Sequence, residues 1–93
     1  MKSATLADKF LQKAADDERL LPSHISLFMA LFYYSPGKAG EQFRVSRRRL
    51  MRFSRIRSVA TYHKCMRELV ACGYVGYQPS FDPCRASSVA LLG

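Results

Sequence analysis

Between Ser46 and Leu69 the chain reads SRRRLMRFSRIRSVATYHKCMREL, with eight Arg or Lys and a single acid, Glu68. Arg44, Arg47, Arg48, Arg49, Arg52, Arg55, Arg57, Lys64 and Arg67 make nine of the fifteen cations in 93 residues, and no acid lies between Glu41 and Glu68. Like charges at helical spacing repel, so this arrangement weakens the fold unless an anion relieves it. The total, fifteen cations against seven acids for a net charge of +8, points the same way. An anionic partner is expected, either nucleic acid or a lipid surface.

Other chemistries are poorly supplied. Cys65, Cys72 and Cys84 are an odd number with no CxxC pair, and their spacing with His63 matches no zinc finger. They read as reduced thiols of a cytoplasmic protein. A redox role for Cys84 has no resolving partner in view. No carboxylate or nucleophile is placed beside His63, and neither a phosphate-binding Gly-rich loop nor paired carboxylates occur. The chain reads as a non-enzyme without cofactor or metal. The longest apolar stretch, ISLFMALFYY, is too short to span a bilayer and fits a buried helix, and no secretory pattern opens the chain.

The elements that must hold the cations follow from periodicity. One domain is expected over 1–93, with an N-terminal helix within 1–20, a helical core over 22–73 and a hairpin over 74–93. Residues 4–18 put Leu6, Ala7, Phe10, Leu11 and Ala14 on one face of an amphipathic helix. That stripe packs on the domain's own core or pairs with a second subunit as a homodimer. Pro22 suits a helix first turn and Ser23 can cap it. From Ile25 to Tyr34 nearly every residue is apolar, which predicts the centre of the core. SPGKAGEQ is a loop, and Phe43-Arg44-Val45 a very short strand. Ser46 caps a helix from Arg47 to Phe53, with Leu50 and Phe53 facing inward. Ser58 caps a longer helix that Gly73 stops near Cys72. On that helix Val59, Tyr62, Met66, Leu69 and Val70 form the docking face, opposite Ala60, Thr61, His63, Lys64 and Arg67. YVGYQ and SVALL form a two-stranded hairpin across PSFDPCRAS.

Helix, short strand, short helix, tight turn, longer helix and hairpin is the order of a winged helix-turn-helix, mainly α with a small β element. The segment FRVSRRRLMRFSRIRSVATYHKCMRELVACGYVGYQPSFDP, with DERLLPSHISLFMAL upstream, resembles the winged helix-turn-helix proteins of bacterial mobile elements and small transcription regulators. The shared features are Leu50-Met51 with Ser54, Ile56 and Ser58, then Thr61-Tyr62-His63-Lys64-Cys65, then Glu68-Leu69 with Gly73-Tyr74-Val75. The resemblance implies double-stranded DNA binding by a helix at 58–72 in the major groove. Thr61, His63, Lys64 and Arg67 are then the expected base contacts. Arg47, Arg48, Arg52, Arg55, Arg57 and Ser58 are expected at the phosphate backbone, with Arg85 at the tip of the hairpin wing. Two other functions use the same fold: a replication or excision accessory factor of a mobile element, and a protein–protein interaction module. A plain solvated face is the remaining alternative for the arginines.

Overall fold

A computed structural model of the chain describes residues 4–37, 40–78 and 87–92. Among these, four helices and three strands follow in the order α1 (Ala4–Ala15), α2 (Pro22–Tyr34), β1 (Phe43–Val45), α3 (Arg47–Ser54), α4 (Val59–Ala71), β2 (Val75–Gln78) and β3 (Ser87–Leu91). The strands make one antiparallel sheet in the order β1-β3-β2. Val75 pairs with Leu91 and Tyr77 with Val89 on one side of β3, and Phe43 pairs with Val89 on the other. The expected two-stranded hairpin is therefore three-stranded. A three-residue strand cannot stand alone, and β3 has a second row of backbone donors and acceptors to offer it.

The helix boundaries have local causes. In α1, Asp16, Asp17 and Glu18 would put three acids at the negative end of the helix dipole, and the helix stops at Ala15 instead of running on to Glu18. The Asp17 carboxylate then accepts from the Arg19 backbone N–H at 3.0 Å and from Arg19 Nε and Nη2, both at 2.8 Å. Its Oδ2 also accepts from the Tyr74 hydroxyl at 2.9 Å, which ties this turn to the far end of α4. Pro22 occupies the first turn of α2, as expected, but the cap is not Ser23. The Leu21 N–H donates to Nδ1 of His24 at 2.8 Å, while Ser23 Oγ accepts from Cys65 Sγ at 3.4 Å. Ser46 and Ser58 cap α3 and α4, accepting from the N–H groups of Arg49 and Thr61.

At the end of α4, Gly73 has φ 82° and is followed by a Tyr74 N–H bond to the Leu69 carbonyl. This is the left-handed stop that a glycine permits. The same conformation ends α3, where Arg55 has φ 64° and ψ 21° and Ile56 N–H donates to the Met51 carbonyl. Arg55 is the one non-glycine residue with positive φ among the described residues.

The core is centred on α2, with Leu27, Phe28, Ala30 and Leu31 fully buried. Phe10 of α1 lies 3.6 Å from Phe28 in a parallel stack and meets the edge of Tyr74 at 5.2 Å. Phe10 and Ala14 are thus committed to the domain's own core, which decides between the two expectations for their face of α1. Leu11, a third of a turn round the helix, is left 45% exposed rather than packed with them.

Three further apolar positions depart from expectation. Phe53 is 44% exposed instead of inward. The reason is the close contact of two serines: Ser26 Oγ donates to the Ser54 carbonyl at 2.6 Å, and Ser54 Oγ to that of Leu50 at 2.7 Å. Leu50 and Ser54 therefore take the inward side of α3, and Phe53 lies against Tyr33 at 4.9 Å. On α4 the buried stripe is Tyr62, Cys65, Met66 and Leu69, at the i, i+3, i+4, i+7 spacing of one helix face. Cys65 takes the packing place expected of the valines, and Val59 and Val70 remain 45% and 39% exposed.

Candidate nucleic-acid interface

α3 and α4 are joined by four residues, Arg55 to Ser58, whose only buried side chain is Ile56. Burying Ile56 while Arg55 and Arg57 stay in solvent pins a cationic turn to the core from beneath. All nine cations from Arg44 to Arg67 are exposed, and among the described residues none forms an ion pair. Their charge is therefore uncompensated among the described residues. Each like pair one turn apart costs about 0.2–0.5 kcal/mol. Arg48 with Arg52 on α3 and Lys64 with Arg67 on α4 are such pairs.

On α4, Ala60, Lys64, Arg67 and Ala71 stand at i, i+4, i+7 and i+11 and are all exposed, so they form the outermost column of the helix. Thr61 and His63 are exposed on either side of it. The one acid of α4, Glu68, is turned away from this column. Its Oε1 lies 3.4 Å from Nε2 of His24, which is 1% exposed at the N-terminus of α2. Because Nδ1 of His24 accepts the Leu21 N–H, a neutral ring carries its proton on Nε2, on the side of Glu68 but without a hydrogen bond to it. The only carboxylate of α4 thus lies beside the histidine, off the outer column, which keeps cations and small residues alone. Nothing in the sequence marked His24 for this part; its place beside Pro22 in an apolar run was the only signal.

Tyr62 sits beneath the face rather than on it. It is 1% exposed, and burial pushes its phenol above the usual tyrosine range, with Tyr77 adding to the shift and the charge of Arg47 opposing it. Arg47 itself is exposed in the first turn of α3. Arg48 and Arg52 are exposed one turn apart on α3, and Arg49 shares the flank of Phe53 one turn away. Ser58 is exposed, but its hydroxyl is engaged with the Thr61 N–H at 3.3 Å, so it acts first as a helix cap. The N–H groups of Val59 and Ala60 precede any intrahelical partner and face out beside Arg57, where the helix dipole adds positive potential.

The structure thus brings together Thr61, His63, Lys64 and Arg67 on one helix face, and Arg47, Arg48, Arg52, Arg55, Arg57 and Ser58 on the adjoining helix and turn. Arg85 and Cys84 lie outside the described residues. Among the described residues no cluster of His, Cys, Asp and Glu has the makings of a metal site, and no helix is long and apolar enough to cross a membrane. Val59, Tyr33 and Phe53 are exposed where periodicity had placed them inside, and the half-buried Tyr34 meets both aromatic rings edge-on. Comparison with family models, with curated proteins and with solved structures finds no match for this chain.

Proposed function

We propose that the chain is a winged helix-turn-helix protein that binds duplex DNA and regulates transcription, as a cytoplasmic factor of a mobile element or its neighbouring genes. In this reading α4 lies in the major groove. Lys64 and Arg67 meet base edges from its outer column, flanked by Thr61 and His63. Arg48, Arg52, Arg55 and Arg57 hold the phosphate backbone on either side, and the β2–β3 hairpin is the wing.

The observation that carries this is the pairing of charge with shape. Eight of the nine exposed cations lie on two helices and the turn between them, none of them in an ion pair among the described residues, and α4 has small residues at both ends of its outer column. Ala60 and Ala71 allow a groove to close over that helix, whereas a lipid surface would ask for apolar side chains between the cations.

Sequencing of duplexes selected from a random pool at two salt concentrations tests the reading. If about five cations neutralise phosphates, log K falls against log salt with a slope of roughly −4 to −5. A palindromic motif would identify a dimer on the DNA, and an enriched origin or recombination end would identify the replication or excision role. Absence of duplex binding at low salt would refute the proposal.

A second reading has its own support. Tyr33 is 57% and Phe53 44% exposed, with rings stacked at 4.9 Å, and an exposed aromatic pair beside Arg49 is the composition of a protein-binding surface. In that reading the fold is an interaction module. Substituting both aromatics by serine would then abolish partner capture and leave DNA affinity unchanged.

A further inference from the structure

Val59 lies outside the buried stripe of α4. The inward side of α4 is complete with Tyr62, Cys65, Met66 and Leu69, and Val59 stands 45% exposed in the first turn of the helix. Arg57 and Ser58 precede it and His63 stands one turn on along the same side of α4, all of them exposed, so a branched aliphatic group sits at the rim of a polar and cationic surface. The Ser58 hydroxyl beside it is turned in on the Thr61 N–H and so is engaged within the helix cap. Phosphate has no use for an aliphatic group. In the major groove the base edges offer one apolar feature, the 5-methyl of thymine.

We infer that Val59 reads a thymine 5-methyl group, with Ala60 on the outermost column small enough to let the helix approach it. This rests on the duplex-DNA reading above and adds a specificity to it.

The test begins with the selected duplex and the same duplex carrying deoxyuridine for each thymine in turn, which removes the methyl and keeps the pairing. Deoxyuridine at one position should weaken wild-type binding about fourfold, the worth of one buried methyl group. The variant Val59→Ala should bind the thymine and deoxyuridine duplexes alike, with an unchanged melting curve showing that it is folded. Equal wild-type affinity for the two duplexes would overturn the inference, and needs no protein variant. A methyl effect of the same size in Val59→Ala would overturn it too, by placing the contact elsewhere. Failure to bind any duplex would instead overturn the DNA reading, and this inference with it.

Discussion

Arg55 and Gly73 hold the same left-handed conformation at the ends of two consecutive helices, with φ 64° and 82°. Only one of them is the residue that backbone sterics favour. For a residue with a Cβ this conformation costs about 1–2 kcal/mol. Replacing Arg55 with glycine removes that cost, while the greater freedom of glycine in the unfolded chain takes back about 0.5–1 kcal/mol. The net expectation for Arg55→Gly is a gain of about 0.5–1 kcal/mol, or a melting temperature about 2–8 °C higher for a domain of this size. The helix stop itself should survive, because its bonds run between the backbone N–H groups of Arg55 and Ile56 and the Met51 carbonyl. Gly73→Ala is the matched control. A methyl there meets no atom within 4 Å, so its cost is the backbone conformation alone, about 1 kcal/mol and about 4–8 °C downward. Thermal melts of the three proteins by circular dichroism read both numbers. On the proposed DNA-binding reading, the same Arg55→Gly protein should bind duplexes more weakly, with a salt slope shallower by about 0.9 if Arg55 holds one phosphate. A variant more stable but weaker in binding would explain why an arginine is kept in a strained position. If Arg55→Gly melts at or below the wild type while Gly73→Ala falls as expected, contacts of the arginine side chain outweigh its backbone strain and the reasoning fails.

Lys64→Ala should relax sequence preference, whereas Arg48→Ala should weaken binding to all duplexes alike; equal loss on every sequence from both would show that α4 does not read bases. Phe10→Ala removes the ring stacked on Phe28 and should cost about 3–5 kcal/mol, read as loss of most of the denaturant midpoint. Asp17→Asn probes acid stability. Hydrogen bonding from Arg19, helped by the Tyr74 hydroxyl and countered in part by burial, holds the Asp17 carboxyl well below the usual carboxylate range. The folded value lies below the unfolded one, so the stabilisation is whole above about pH 4 and drains as pH falls towards the depressed value. The gap in melting temperature between wild type and Asp17→Asn should be widest near neutral pH and close in acid. A gap that does not change with pH would mean the charge of Asp17 contributes nothing.

Much of this protein was legible along the chain because it depends on neighbours in sequence. Helix caps are local, so Ser46, Ser58 and Gly73 marked the ends of α3 and α4 where they are found. The crowding of cations between Arg44 and Arg67 is a property of composition, and so is the small and polar outer face of α4. What periodicity could not settle was which of two adjacent apolar residues goes inside, since a stripe on a helix is broad enough to admit either. Only packing decided that Phe53 and Val59 face out: serine contacts between α2 and α3 turned the first, and the buried stripe of α4 centres on Tyr62, Cys65, Met66 and Leu69 and leaves the second at its edge. Long-range pairing was equally out of reach. β1 joins β3 across more than forty residues, and His24 meets Glu68 across the α2–α4 contact. Local sequence determined the elements and the charge they carry, because caps, turns and helical spacing act within a few residues. The exposed face of α4, cleared of its acid and tipped with a valine, was decided by tertiary contacts, because only the folded chain brings those partners together.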